Sequence, residues 1–165
     1  MRDSTEFDAF YTATGAHIMG QVYVMIGDRS ETEDAVAEAY ARAWQRWGTV
    51  SGYVDPAAWV RTVAYRIAVS SWRRAMRRRR AHDRVRPTLT LPAPEPDKVA
   101  LLDALRQLPA TQRRAIVLHY LAGLTVAEIA AETASSESAV KARLARGRAS
   151  LANLLDDGKE NTHAR

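Results

Sequence analysis

A basic helix near the C-terminal end of the sequence carries residues suited to bind another molecule. It is predicted to begin after Ser136, because a serine hydroxyl can accept a hydrogen bond from a free backbone N–H in the first helical turn. One face is apolar at helical spacing: Val140, Leu144, Gly147 and Leu151. The opposite face is basic or small, with Ala139 and Arg143 on its flanks and, at its centre, Ser138, Lys141, Ala142, Ala145 and Arg146. Lysine and arginine can bind base edges or phosphates, and small neighbours permit a close approach.

A shorter helix is predicted just before this one. Thr125 followed by Glu128 is a capping box, in which the hydroxyl and the carboxylate each accept a free backbone N–H. A short helix, a sharp turn and a basic helix form the pattern of a helix-turn-helix DNA-binding motif. The same spacing also fits an ordinary helical hairpin with a solvated charged face, so the pattern alone leaves both interpretations open.

A second basic helix is predicted from about residue 57 to residue 80, with Pro56 at its start. Four of its residues form one stripe: Arg66, Ser70, Arg73 and Arg77. Two predicted packed stripes flank it, one of which holds Tyr65, Val69, Trp72 and Met76. Stacked like charges repel, so this stripe indicates a bound anion or an acidic neighbour, although a solvated basic face would also fit. Tyr53, in the preceding loop of residues 48–56, would add an aromatic surface for an unpaired base.

A third predicted helix precedes both basic helices in the chain and is acidic at its start. A capping box of Ser30 and Glu33 is predicted to open it, and it should run to Trp47. Its first two turns hold four carboxylates, Glu31, Glu33, Asp34 and Glu38. Acidic first turns usually compensate the helix dipole, but four carboxylates exceed what capping needs. Residues 1–58 carry a balance of −5 and residues 59–86 a balance of +9, which suggests two partners, a basic surface and an anion.

The whole composition narrows the class of protein. The 165 residues are 47% hydrophobic and 26% charged, as in a folded protein, and there is no cysteine. The absence of thiols excludes a disulfide framework and suits a reducing cytoplasm, where we expect the protein to act. No apolar run is long enough to span a bilayer, and the acidic start of the sequence is not expected to be a signal peptide. The histidines at 17, 82, 119 and 163 are scattered outside any catalytic motif, so we expect no enzyme activity, no metal and no cofactor.

The remaining segments predict an all-α fold of two small domains. Apolar residues recur at helical spacing from Phe7 to Ile26, whereas residues 81–97 contain four prolines and are predicted to be an extended linker. Two further helices are predicted on either side of Pro109. The first of these contains Val99, Leu102, Leu105 and Leu108, and the second contains Ile116, Leu118, Tyr120 and Leu121 and ends before Gly123. No stretch has the alternation of a strand.

These residues resemble a known family, the extracytoplasmic-function sigma factors of bacterial RNA polymerase. Residues 98–156 are similar to the family's region 4 through Leu108-Pro109, Gln112-Arg113, Tyr120, Gly123-Leu124, Glu128-Ile129-Ala130, Ser136, Val140-Lys141 and Arg143-Leu144. Residues 5–80 are similar to region 2 through Glu33-Asp34, Tyr40, Trp44 and Trp47, Pro56, Trp59-Val60, Ala64 and the arginine-rich tail. The tryptophan-containing stretches look most like an actinobacterial, SigE-like branch.

The resemblance implies a subunit that gives core RNA polymerase its promoter specificity. Region 2 would dock on the clamp coiled coil through Glu33, Asp34 and Glu38. The same region would bind the minus-10 element as melted single strand through Tyr53, Arg66, Ser70, Arg73 and Arg77. Region 4 would sit on the flap and read the minus-35 element as duplex through Ser136, Ser138, Ala139, Lys141, Ala142, Arg143 and Arg146. An anti-sigma factor is a further candidate partner.

Two other classes of protein fit parts of the pattern. A stand-alone helix-turn-helix regulator would explain the C-terminal motif, but it would leave the basic stripe of the N-terminal half without a role. A helical interaction module would explain the acidic helix and not the basic ones. Specific duplex binding without polymerase would favour the regulator.

Overall fold

The computed structural model of the protein describes residues 4–79 and 96–163, and within these ranges it contains eight helices and no strand. The chain divides into two compact units, residues 1–85 and residues 86–165. The predicted all-α fold of two small helical domains is therefore confirmed. The proline-rich segment that was predicted to be a linker lies outside the described residues, except for its last two positions, which belong to a helix.

The first unit contains four helices: α1 (Ser4–Ile26), α2 (Arg29–Gln45), α3 (Trp47–Val50) and α4 (Pro56–Arg79). Helices α1, α2 and α4 pack against one another around a core of small and branched side chains. That core takes Ile18 and Val22 from α1, the residues Ala35, Val36, Ala39, Tyr40 and Ala43 from α2, and Val60, Ala64 and Ala68 from α4. The basic stripe of α4 is therefore carried on a helix whose opposite side is anchored.

An aromatic cluster closes one end of this core. The Phe7 ring lies 5.2 Å from Trp47, edge to face, and 5.1 Å from Trp44 between ring centroids. Trp47 Nε1 also donates a hydrogen bond to the Glu6 carboxylate at 3.3 Å. All four tryptophans of the chain, Trp44, Trp47, Trp59 and Trp72, belong to this unit.

Three local predictions for the first unit were wrong. The N-cap of α2 is Asp28, whose side chain accepts the Glu31 N–H at 3.0 Å, and Ser30 lies inside the helix. Trp47 does not continue α2 but begins α3, which makes the start of the predicted loop helical. Trp72 was predicted to be packed, yet 44% of it is exposed.

The second unit contains α5 (Pro96–Gln107), α6 (Ala110–Tyr120), α7 (Val126–Thr133) and α8 (Glu137–His163). Helix α8 packs on the other three, through Val140 and Leu144 and through a close approach at Gly147. A Cβ at Gly147 would lie 2.9 Å from Ile116 Cγ1 of α6, so only glycine lets the two helices come this close. Of the four apolar residues predicted for α6, Ile116 and Leu118 are buried, while Tyr120 and Leu121 are exposed.

Candidate nucleic-acid interfaces

Two adjoining helices of the second unit form the predicted helix-turn-helix. The Thr125 N–H donates to Glu128 Oε2 at 2.7 Å and the Glu128 N–H donates to Thr125 Oγ1 at 3.2 Å, which confirms the capping box. The hydrogen bond from the Thr125 backbone N–H, and the Thr125 side chain beside it, lower the pKa of the Glu128 carboxyl. Ala134, at φ 51°, ends α7 in the left-handed conformation. Ser136 Oγ then accepts the Ala139 N–H at 3.1 Å, so the predicted cap of α8 is also confirmed.

The outward face of α8 is basic and largely open. Ser136, Ser138, Lys141 and Arg146 are exposed, while Ala139, Ala142 and Arg143 are half-buried. Arg143 Nη1 donates a hydrogen bond to Ser135 Oγ at 2.8 Å, which ties this side chain to the turn between α7 and α8. Of the cations predicted to contact DNA, Lys141 and Arg146 are exposed, whereas Arg143 is held in place by its hydrogen bond.

The basic stripe of α4 is exposed along its whole length. Arg66, Ser70, Arg73 and Arg77 all face solvent, and at 1.5 Å per residue the two end residues are about 16 Å apart along the axis. The opposite side of α4 is held in the core, and there Arg61, only 5% exposed, donates a hydrogen bond to Gln21 Oε1 at 3.2 Å. The four residues thus form one continuous surface on a fixed helix.

Tyr53 lies in the turn that precedes α4. Its N–H donates to the Val50 carbonyl at 3.1 Å, and Asp55 Oδ1 accepts the Ala58 N–H at 3.0 Å, so both ends of the turn are fixed. Tyr53 is 44% exposed and Val54 is fully exposed. Ten residues of α4, about 15 Å, separate Pro56 from Arg66. Tyr53 and the basic stripe would therefore contact different parts of a bound strand.

One further exposed aromatic residue was missed as a candidate. Trp72 lines an open groove of about 420 Å³ on α4 together with Arg73, Met76 and Arg77. Its place within an arginine-rich segment was visible in the sequence, but helical spacing put it in a stripe predicted to be packed. The exposed fraction of its ring could only come from the structure.

The acidic residues of α2 lie on its solvent side. Glu33 pairs with Arg29 at 2.6 Å and Glu38 pairs with Arg42 at 2.8 Å, both as exposed pairs one helical turn apart. The Glu33 carboxylate raises the pKa of Arg29. Asp34 is exposed and has no ion pair within residues 4–79. Two of the three carboxylates expected to face a partner are thus paired within the helix, whereas Asp34 has no such pair within residues 4–79.

In the part of the chain that the structure describes, no group of three or more histidine, aspartate or glutamate side chains could hold a metal ion. None of the described helices is both long and apolar enough to span a membrane.

Comparisons with known proteins match both units. A family model described as Sigma-70 region 2 matches residues 10–80, and one described as Sigma-70, region 4 matches residues 98–151. The ECF RNA polymerase sigma factor BldN of Streptomyces coelicolor is 29% identical over 92% of this chain, and SigJ of Mycobacterium tuberculosis is 30% identical over 84%. The chain spans only 62% and 47% of the lengths of these two relatives.

A solved structure shares the fold. It is the complex of the sigma factor RpoE with the anti-sigma factor NepR from Bartonella quintana, and it superposes with a TM-score of 0.81 at 22% identity. The match covers 92% of this chain and 97% of the other. At this level of identity the likeness is one of fold.

Proposed function

Because the chain belongs to the extracytoplasmic-function group of the sigma-70 family, with region 2 and region 4 both present, we propose that it binds core RNA polymerase and directs promoter recognition, strand opening and transcription initiation. The observation that carries the proposal is the presence of two separate basic surfaces, one on α4 in region 2 and one on α8 in region 4. One surface has the shape for duplex, and the other combines a basic track with aromatic side chains.

Region 4 reads the minus-35 element as duplex in this proposal. A helix fits the major groove of B-DNA, and its basic side chains bind base edges or phosphates. Lys141 and Arg146 are exposed and supply the charge, while Ala139 and Ala142 let the helix approach closely. Ser136 and Ser138 lie at the first turn of α8, where hydroxyls can donate to phosphate. Arg143 holds the turn through its hydrogen bond to Ser135, and it would lie at the edge of the major groove.

Region 2 binds the minus-10 element after its strands separate. Unstacking costs a few kcal/mol, so the protein must offset it with contacts that exist only to the open strand. Arg66, Arg73 and Arg77 supply phosphate contacts along α4, Ser70 supplies a hydroxyl, and Tyr53 supplies an aromatic surface at the preceding turn. A basic track with aromatic side chains is the usual arrangement for single strands.

The acidic face of α2 is the proposed docking surface for polymerase. Glu33, Asp34 and Glu38 are exposed on the side of α2 that faces away from the core, so they can meet the clamp coiled coil without disturbing the fold. Region 4 would contact the flap. We propose that the protein acts in the cytoplasm. Within the family we propose a SigE-like actinobacterial branch, in keeping with relatives from Streptomyces and Mycobacterium.

An anti-sigma factor is the third proposed partner. The structure that shares this fold was solved with an anti-sigma factor bound, which supports a similar form of control here. A stand-alone helix-turn-helix regulator is not favoured, because the first unit matches sigma region 2.

In vitro transcription with core polymerase and a randomised promoter library tests the proposal. We expect the chain to direct initiation from a subset of templates that share two sequence elements, and core polymerase alone to use none of them. Failure to stimulate initiation, together with tight duplex binding in the absence of polymerase, would favour the regulator instead.

A further inference from the structure

Trp72 stands apart from the other tryptophans of the chain. Trp47 is buried and Trp44 and Trp59 are half-buried in their packed surroundings, whereas 44% of Trp72 is open to solvent. It lies on α4, six residues after Arg66 and next to Arg73. Large exposed aromatic side chains in proteins commonly mark contact surfaces, because burying them on binding contributes much free energy.

The surroundings of Trp72 restrict what can bind there. Trp72 and Met76 are one turn apart, as are Arg73 and Arg77, so an apolar strip runs beside a basic one on the same helix. These four residues line the open groove of about 420 Å³. Its walls among the described residues include no carboxylate, so a cationic ligand is disfavoured. A ligand with a flat apolar face and attached negative charge fits both strips at once.

We propose that Trp72 is a stacking surface for one unpaired base of the promoter strand that region 2 binds, while Arg73 and Arg77 hold the phosphates beside that base. The inference rests on the proposed function. An unpaired nucleotide has the required chemistry, since its base stacks on an indole ring and its phosphate pairs with arginine. The groove lies toward the C-terminal end of the basic stripe, about 9 Å along the axis from Arg66. It therefore takes a base at the far end of the strand from Tyr53.

The test uses the full chain bound to core polymerase and a template with a pre-melted bubble, selected from the library above. Each unpaired nucleotide is replaced in turn by an abasic residue, and the affinity of the wild-type complex is compared with that of Trp72→Ala. One abasic position should weaken wild-type binding by about 5- to 100-fold, the range for loss of a single base–aromatic stack. Trp72→Ala should show the same loss on the intact bubble and no further loss at that position. Trp72→Phe should restore most of the affinity.

The controls separate this inference from the proposed function. Tyr11→Ala removes another exposed aromatic side chain, from α1 of the same unit, and should leave every abasic effect in place. If the wild-type complex binds the bubble no better than core polymerase alone does, the proposed function itself fails. If binding is normal but the losses from Trp72→Ala and from each abasic site add, or if Trp72→Ala has no effect, the stacking role is wrong. A loss of affinity for core polymerase without DNA would mean that Trp72 contacts protein instead.

Discussion

The Arg143 guanidinium donates a hydrogen bond to the Ser135 hydroxyl across the turn of the helix-turn-helix, at 2.8 Å. This bond joins the first two turns of α8 to the last residues before it. It restricts the side chain that was expected to reach freely toward DNA. Arg143 therefore has two roles to separate, one in the geometry of the turn and one in binding.

A double-mutant cycle separates these roles. Ser135→Ala and Arg143→Ala should each lower the free energy of unfolding of the second unit by about 1 kcal/mol, because each removes the same hydrogen bond. The double variant should lower the free energy of unfolding by little more than either single variant does. For duplex binding, Arg143→Ala should be the more damaging by about 1–3 kcal/mol, because it also removes a DNA contact. Lys141→Ala is the control, expected to change affinity and not stability. Equal effects of both single variants on affinity would leave Arg143 only a positioning role.

The two basic surfaces should act at different steps of initiation. Lys141→Ala should weaken closed-complex formation and lower the slope of log affinity against log salt by about one, as expected for one lost phosphate contact. Arg73→Ala should leave initial capture of duplex largely intact and reduce strand opening. Filter binding at several salt concentrations measures the first step and permanganate reactivity measures the second. The same defect in both variants would contradict a division between the surfaces.

Asp34 should matter for binding to polymerase. Asp34→Arg places a cation where a carboxylate is proposed to meet a basic surface, and it breaks no ion pair within residues 4–79. We expect affinity for core polymerase to fall by about tenfold or more, since like charges at an interface are costly. Asp8→Arg, an equal charge change at an exposed site on α1, is the matched control. Unchanged binding of the Asp34 variant would remove it from the docking surface.

The stability of the second unit should depend on the charge of Glu128. Its carboxylate accepts the Thr125 N–H, which holds the pKa of Glu128 below its ordinary value. A lowered folded pKa means that the stabilisation is present at neutral pH and is lost as the pH falls below about 4.3 and through the folded value. Wild type should therefore melt above Glu128→Gln at pH 7, and the two curves should converge in acid. Thermal melts followed by circular dichroism measure both variants at each pH. A difference in melting temperature that persists in strong acid would contradict this role of the Glu128 charge.

The buried hydrogen bond between Arg61 and Gln21 should stabilise the fold of the first unit. Arg61→Ala removes this hydrogen-bond partner from the buried Gln21 amide, and it also removes the packing of a long side chain. We expect a loss of about 2–4 kcal/mol in the free energy of unfolding. Arg66→Ala, on the exposed side of the same helix, should change it by less than about 0.5 kcal/mol. Urea titration compares the two, and similar losses would show that burial does not set the effect.

Local rules of helix formation predicted much of this fold from the sequence. The capping box at Thr125, the cap at Ser136 and the start of α4 at Pro56 each depend on a few neighbouring residues, so their types and spacing suffice. The buried face of α8 also followed from its spacing. The cap of α2 was misassigned because Asp28 and Ser30 are both good caps, and only the turn at Gly27, with φ 81°, selects the first of them.

The features that sequence could not predict depend on distant contacts or on exposure. Arg61 is buried because Gln21, forty positions earlier, lies against it. Arg143 bonds to a serine in the turn, which a helical wheel places in no relation to it. Trp72 has the spacing of a packed residue, yet part of its ring remains uncovered. These contacts and exposures depend on how neighbouring helices and turns pack, and the spacing of residues within one helix does not predict that packing.

The location of the four tryptophans gives the protein an internal reporter. All of them lie between residues 44 and 72 of the first unit, so indole emission senses that unit alone, while the far-ultraviolet signal of helices senses both. If the units unfold independently, the two signals will follow different denaturation curves on the intact chain. The stability of each unit, and any coupling that a bound partner creates between them, can then be measured without cutting the protein or attaching a dye.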